Sequence, residues 1–224
     1  MARGRLIVFE GAEGAGKSTQ LRLLTEWLTA RGLEVRAVRE PGGTLLGDQI
    51  RRILLDPTSD ITARAEALLF MASRAELVER EVRPALESGA TVLVDRFFLS
   101  TYAYQGAGRG LPQEELRMAN RIATAGLVPD LTVLLTLPVA SGLARASGRG
   151  DRDRMERAEL DFHERVGRAF ELFSSAEWQR QHPECGPIVV VDALDSEAGV
   201  FDRVVTLLRS RWPASFPVEH SSSR

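Results

Sequence analysis

The 224-residue sequence contains one cysteine, has little net charge and lacks long hydrophobic runs. Cys185 alone excludes a disulfide framework and favours a reducing compartment, by default the cytoplasm. The net charge of −2 provides no positive excess for binding nucleic-acid backbones. No 18-residue apolar run occurs, and residues 1–5 lead into the first apolar run without the longer stretch of a secretory signal. We therefore expect a cytoplasmic protein without nucleic-acid or membrane partners.

Lysine is as rare as cysteine, because 28 of the 29 basic residues are arginine. Lys17 is the only exception. This bias suggests that Lys17 has a role that a planar guanidinium does not fill, such as a compact point charge against phosphate. The three histidines show no metal-ligand spacing, so no histidine metal site is predicted.

Five short apolar runs rich in β-branched residues predict buried strands, at 6–9, 35–38, 91–94, 131–137 and 188–191. Segments with helical periodicity lie between them, at 21–28, 68–86, 116–123 and 162–173, and a last one covers 200–208. Parallel strands need helical crossovers, so the pattern predicts an α/β fold with a doubly wound parallel sheet. We expect a single domain over 1–212 and a flexible tail over 213–224.

The first strand is followed by a phosphate-binding motif of the form G-x-x-x-x-G-K-[ST], which runs directly into a helical segment. Backbone N–H groups of this loop and the helix N-terminus would cradle phosphates, Lys17 would reach the β- and γ-phosphates, and Ser18 would bind Mg²⁺. The predicted ATP-binding set comprises Gly11, Ala12, Glu13, Gly14, Ala15, Gly16, Lys17, Ser18, Thr19 and, after the fifth strand, Ala193.

The third predicted strand ends in Asp95 and Arg96, where the carboxylate could hold Mg²⁺ together with Ser18. No glutamate follows Asp95 to activate water, as motor ATPases require. An N-K-x-D motif for reading guanine is impossible, since the only lysine lies in the phosphate-binding loop. These absences favour phosphoryl transfer to a bound acceptor.

An acceptor that carries a phosphate needs further cations, and Arg39 follows the second strand in the segment Arg-Glu-Pro-Gly-Gly-Thr. Ligands of open α/β sheets bind at the carboxyl ends of the strands. Either residue alone would more simply be a solvated surface arginine. Because both lie at strand ends beside the phosphate-binding loop, we expect Arg39 and Arg96 to face one crevice.

Together, three motifs resemble those of the thymidylate kinases: the loop over 11–18, the segment 39–44 and the stretch from Asp95 to Gly106. The resemblance covers nearly the whole chain. It implies a P-loop nucleoside monophosphate kinase fold with a five-stranded parallel sheet, a homodimer, and ATP- and Mg²⁺-dependent conversion of dTMP to dTDP in dTTP biosynthesis.

The resemblance also implies roles for single residues. Phe70 would stack on thymine with Arg74 donating to a base carbonyl, and Tyr104 would pack where a 2′-hydroxyl would have to fit. Glu13 would contact the 3′-hydroxyl or the metal shell. The implied dTMP-binding set is Glu13, Arg39, Pro41, Phe70, Arg74, Arg96, Ser100, Thr101, Tyr104 and Gln105. Spacing alone favours a simpler interpretation, with Phe70 in the core and Arg74 on the surface, and Ser100 could simply be a helix N-cap.

Glycine at position 14 matches family members that keep their catalytic arginines in a lid, and the arginine-rich segment 142–156 fits a lid. The family pattern favours Arg149 and Arg154, which gives a catalytic set of Lys17, Arg96, Arg149, Arg154 and Glu13. The simpler interpretation of this segment is a solvated, self-paired run of charges. Two alternative functions stay open: a kinase for another nucleoside monophosphate, and a non-enzymatic ATP-dependent switch.

Overall fold

The computed structural model describes residues 3–147, 153–155 and 157–216. Its centre is one parallel sheet of five strands in the order β2-β3-β1-β4-β5. The strands are β1 (Leu6–Glu10), β2 (Val35–Arg39), β3 (Thr91–Asp95), β4 (Leu131–Thr136) and β5 (Ile188–Asp192). The predicted fold class and all five predicted strands are confirmed, with boundaries shifted by one residue.

The central strand explains why the apolar runs do not alternate with polar residues. Leu6 and Val8 of β1 pack into the hydrophobic cluster on one face of the sheet, and Ile7 and Phe9 pack into the cluster on the other face. All four side chains are at most 1% exposed. A strand covered on both faces needs apolar residues at every position.

Helices cover both faces. They are α1 (Lys17–Thr29), α2 (Leu45–Leu55), α3 (Ala63–Leu77), α4 (Arg83–Glu87), α5 (Phe98–Thr101), α6 (Gln113–Thr124), α7 (Val139–Ser147), α8 (Leu160–Phe173), α9 (Ala176–Gln181) and α10 (Glu197–Arg211). Two π-helical segments, Val78–Val82 and Tyr102–Gly108, continue α3 and α5. Among the described helices none is long and apolar enough to cross a membrane.

Helix α2 is absent from the sequence prediction. Its apolar residues lie on more than one face, because Ile50 and Leu54 are buried whereas Leu45, Leu46 and Ile53 are exposed. A local signal does mark its start, since the Thr44 side chain accepts a hydrogen bond from the backbone N–H of Gly47 at 3.0 Å.

The predicted flexible tail begins at Pro213, but the core extends further. Phe216 is 2% exposed and its ring lies 6.0 Å from that of Trp27 on α1. The boundary therefore moves past Phe216, and residues 217–224 lie outside the described part of the chain.

Candidate active site

The carboxyl ends of β1, β2 and β3 lie side by side and open into one pocket. Fifteen sequence-predicted residues line it: Glu13, Gly14, Gly16, Lys17, Ser18, Arg39, Pro41, Phe70, Arg74, Asp95, Arg96, Ser100, Thr101, Tyr104 and Gln105. Five further lining residues were not predicted: Glu40, Arg51, Leu55, Asp153 and Met155. The fold thus joins the three sequence motifs in a single cavity.

Lys17 begins α1 and lies against the loop that precedes it. Its Nζ donates to the carbonyl oxygens of Gly11 at 3.0 Å and Ala12 at 2.8 Å. Burial, together with the positive charge of the neighbouring Arg96, lowers the pKa of Lys17 to about 7. An anion bound here would favour the charged form of the buried ammonium.

Gly14 brings the phosphate-binding loop into backbone contact with α7. Its φ is +69°, and a Cβ built on it would lie 2.1 Å from the carbonyl oxygen of Gly142. Likewise, a Cβ on Gly142 would lie 2.4 Å from the carbonyl oxygen of Glu13. Both positions therefore exclude side chains, which explains why this loop carries no arginine at position 14.

Ser18 and Asp95 form the candidate magnesium site. The Ser18 hydroxyl donates to Asp95 Oδ2 at 2.6 Å, at the mouth of the pocket and next to Lys17. A hydroxyl and a carboxylate oxygen are suitable ligands for Mg²⁺, which keeps several waters and takes further oxygens from substrate phosphates. The described residues contain no cluster of three or more His, Cys, Asp or Glu that could hold a metal by itself. The residues present therefore fit Mg²⁺ bound together with a nucleotide.

Four arginines line the pocket, among them Arg39, Arg51 and Arg96. Arg96 has a left-handed backbone with φ of 72°, and its guanidinium donates to Ser100 Oγ at 3.0 Å and lies 5.0 Å from the centre of the Tyr104 ring. Arg39 ends β2, as predicted. Arg51 was not predicted; it extends from α2 and donates to the carbonyl oxygen of Pro41 at 3.0 Å. Together they form a cationic wall suited to an acceptor phosphate.

Other residues that line the pocket provide aromatic rings, an amide and a further arginine. Phe70 and Arg74 lie one turn apart on α3, and Tyr104 and Gln105 come from the π-helical segment after α5. The Tyr104 hydroxyl is buried and makes no hydrogen bond within the described residues. A flat apolar face with a free polar group suits a nucleoside.

Arg74 has a structural role that its spacing did not predict. It is 2% exposed, and its five N–H groups are directed at Glu40, Thr101, Asn120 and the carbonyl oxygen of Phe97. The Glu40 contacts are 2.7 and 2.5 Å long. Burial raises the pKa of Glu40, and Arg74 opposes that rise. Arg74 thereby fixes the segment that carries Arg39 and Pro41, and its contact with a base stays a prediction.

Residues 9–182 match the protein-family model described as thymidylate kinase. The chain belongs to the thymidylate kinase family. It is similar to the thymidylate kinase of Deinococcus radiodurans, with 52% identity over 180 residues that cover 80% of this chain and 87% of the relative. It is also similar to that of Desulforudis audaxviator, with 48% identity and 93% of each chain covered. The identity to the thymidylate kinase of Pelodictyon phaeoclathratiforme is 43%, and the match covers 93% of this chain and 97% of the relative.

Membership of the thymidylate kinase family confirms the predicted family and makes the chain a phosphotransferase that acts on dTMP. The alternative of an ATP-dependent switch loses its support, because relatives that match over most of their length carry the name of an enzyme. The alternative of another nucleoside monophosphate as substrate is opposed in the same way.

Six of the predicted site residues do not line the pocket: Gly11, Ala12, Ala15, Thr19, Ala193 and Arg154. Gly11 and Ala12 touch it indirectly through Lys17. The Ala193 carbonyl accepts a hydrogen bond from Arg145 of α7 at 3.1 Å. Arg154, predicted for the transferring phosphate, instead donates to buried Glu66 at 2.6 Å. Arg149 lies outside the described residues.

Proposed function

We propose that the chain catalyses Mg²⁺-dependent transfer of the γ-phosphoryl group of ATP to the phosphate of dTMP in the pocket at the ends of β1, β2 and β3. One observation carries this proposal: the phosphate-binding loop with Lys17 lines the same cavity as Arg39, Arg51 and Arg96. Donor and acceptor phosphates would therefore meet between two sets of cations. A site that only binds ATP has no need for the second set.

In the proposed reaction the protein positions the two phosphates and neutralises their charge. Lys17 and the backbone N–H groups of the loop bind the donor phosphates, and the three arginines bind the acceptor phosphate. No general base is needed, because the acceptor oxygen is already anionic at neutral pH. Ser18 and Asp95 would hold Mg²⁺, which supplies charge neutralisation at the donor phosphates.

The base and sugar would occupy the aromatic side of the cavity. Phe70 provides a face for thymine, and Tyr104 lies between Arg96 and the core rings of Phe162 and Phe170. This arrangement supports a pyrimidine deoxynucleotide, since a 2′-hydroxyl would compete for the space that the Tyr104 ring fills.

A coupled assay for ADP tests the reaction. ADP release should require dTMP and Mg²⁺ and should be much slower with purine monophosphates. The matched pair Arg51→Ala and Arg52→Ala tests the acceptor wall, because Arg51 lines the pocket whereas its neighbour Arg52 is exposed outside it. We expect Arg51→Ala to weaken dTMP binding by about 2 kcal/mol, or about 30-fold, and Arg52→Ala to leave it unchanged. ADP release that ignores dTMP would contradict the proposal.

We further propose that the enzyme is a cytoplasmic homodimer. Its single cysteine, Cys185, is buried and free, which suits a reducing compartment. Packed helices α2, α3 and α6 leave exposed apolar side chains on their surfaces: Ile53, Leu68, Met118 and Ile122. Light scattering should give a dimer mass for the parent, and Ile122→Asp, at a side chain 83% exposed, should shift it to the monomer. A monomeric parent would contradict the dimer.

A further inference from the structure

The carboxylate of Glu66, in the first turn of α3, joins two parts of the pocket wall. It is fully buried and accepts hydrogen bonds from Gln105 Nε2 at 2.9 Å and Arg154 Nη2 at 2.6 Å. Arg109 donates to the same carboxylate through Nε at 3.3 Å and through Nη2 at 3.1 Å. Gln105 lines the pocket, and Arg154 lies between two residues that line it, Asp153 and Met155.

Each oxygen of this carboxylate is committed as an acceptor. Oε1 faces Gln105 and Arg109, and Oε2 faces Arg109 and Arg154. Guanidinium groups only donate, so neither oxygen is available to donate to Gln105. The Gln105 amide must therefore direct its NH₂ group toward Glu66.

This constraint fixes what Gln105 offers to a ligand. With its NH₂ directed at Glu66, the amide has its carbonyl oxygen left, which accepts no hydrogen bond from the described residues. Gln105 is 2% exposed and lines the cavity. An acceptor at this position matches a base that presents a ring N–H, as thymine and uracil do at N3. Cytosine presents an acceptor at N3 and would leave both groups unpaired.

Arg154 is held as part of the same arrangement. Its Nε donates to the carbonyl oxygen of Leu54 at 2.8 Å, and its backbone N–H donates to that of Leu55 at 3.1 Å. Its side chain is 11% exposed, and together with Arg109 it compensates the buried charge of Glu66. The guanidinium is thus engaged by the Glu66 carboxylate and the Leu54 carbonyl oxygen and does not line the pocket.

We propose that Glu66 is a positioning residue that orients the Gln105 amide and so selects pyrimidines with a ring N–H, and that Arg154 acts on the reaction through Glu66. The inference rests on the proposed function, because it takes the pocket as the acceptor nucleotide site. It adds the source of base selection and gives Arg154 a different role from a lid arginine.

The substrates dUMP and dCMP isolate the selection for a ring N–H. They share the sugar and the phosphate and both lack a methyl group, but N3 is a donor in uracil and an acceptor in cytosine. The kcat/KM ratio of dUMP to dCMP should fall at least about tenfold in Glu66→Gln, because the amide at position 66 can donate or accept and no longer fixes Gln105. The KM for ATP should stay within about twofold, and Glu66→Asp should restore part of the ratio. Calorimetric binding replaces turnover where dCMP reacts too slowly.

A matched control separates selection from general loss of stability. Thr132→Val removes a buried hydroxyl that donates to the Cys185 carbonyl at 2.8 Å, near the amino end of β4 and away from the pocket. It should lower stability without changing the dUMP to dCMP ratio. An unchanged ratio in a folded Glu66→Gln enzyme would overturn the proposal.

Arg154→Gln tests the proposed action of Arg154 through Glu66. It tests the proposal by itself if Glu66→Gln does not fold. We expect the kcat/KM ratio of dUMP to dCMP to fall in Arg154→Gln too. The double variant with Glu66→Gln and Arg154→Gln should have a ratio little lower than that of Glu66→Gln alone. If Arg154 acts on the transferring phosphate, kcat falls equally for both substrates and the ratio is unchanged, which overturns the proposal. A parent enzyme that does not phosphorylate dTMP would contradict the proposed function instead.

Discussion

The carboxylate of Glu10, the last residue of β1, accepts a hydrogen bond from the Ser100 hydroxyl at 2.6 Å. The same carboxylate accepts the backbone N–H groups of Phe97 at 2.7 Å and Ser100 at 3.1 Å. Glu10 therefore caps the start of α5, where the local N-cap residue, Phe97, offers no side-chain bond. Ser100 lies inside the helix, and its hydroxyl oxygen accepts a hydrogen bond from Arg96. Glu10 therefore also positions Arg96, through Ser100.

This relationship predicts that Glu10→Gln lowers both stability and acceptor binding. The amide keeps the size of the side chain but places a donor where Ser100 needs an acceptor. We expect a loss of about 1–3 kcal/mol in the free energy of unfolding, measured by denaturant titration, and weaker dTMP binding by calorimetry. Glu26→Gln, on the exposed side of α1, should change neither quantity. Unchanged dTMP affinity in Glu10→Gln would show that the cap does not position Arg96.

Lys17→Arg should abolish turnover and preserve the fold. The ammonium lies in a niche between two carbonyl oxygens and is 6% exposed, where a planar guanidinium has no room. The assay is the dTMP-dependent release of ADP, with the thermal transition as a check of folding. Arg22→Lys, on the exposed face of the same helix, should keep parental activity. Substantial activity in Lys17→Arg would exclude the assigned role.

The features that the sequence predicted follow either from contiguous residues or from the way parallel strands align. The phosphate-binding loop is contiguous, and β1 is recognisable because a strand buried on both faces is apolar throughout. Arg39 and Arg96 were predicted to meet because parallel strands align their carboxyl ends.

The features that were missed depend on contacts between distant segments. Arg51 and Arg52 are adjacent arginines, and only the docking of α2 on α3 directs the first into the pocket. Glu66 looks like a surface glutamate in an alanine-rich helix, but Arg109 and Arg154, remote in sequence, bury it. Periodicity contains no information about such partners.

Tyr104 is expected to select deoxyribose through the bulk of its ring. Its hydroxyl makes no hydrogen bond to the described residues, so Tyr104→Phe should keep the preference for dTMP over its ribose counterpart. Tyr104→Ala opens the space beside Arg96 and should lose much of that preference. The measurement is the ratio of kcat/KM for the two substrates. Tyr104→Leu, which keeps bulk, controls for the cavity cost of about 3–5 kcal/mol that the alanine variant incurs. Full discrimination by Tyr104→Ala would reduce the ring to a packing role.

The two tyrosines of the chain should remain protonated well above the pH at which phenols usually titrate. Burial raises the pKa of Tyr104 to about 12, with Arg96 opposing the rise. Burial also raises the pKa of Tyr102, whose hydroxyl donates to Glu184 at 2.7 Å. Because the sequence has no other tyrosine, phenolate absorbance of the folded protein should stay flat through about pH 11. In concentrated guanidinium chloride it should rise with a midpoint near pH 10, roughly the value of an unperturbed phenol.

The same shift predicts how stability depends on alkaline pH. Between about pH 10 and 12 the unfolded chain has released its phenolic protons while the folded chain retains them, so the unfolded state binds fewer protons. The contribution of the two phenols to the free energy of unfolding therefore falls as pH rises through this range. Tyr104→Phe removes one of the two groups and should make the fall shallower, whereas Trp27→Phe, which changes an aromatic residue that does not titrate, should leave its slope unchanged. A folded protein whose phenolate absorbance rises near pH 10 would show that water reaches both hydroxyls.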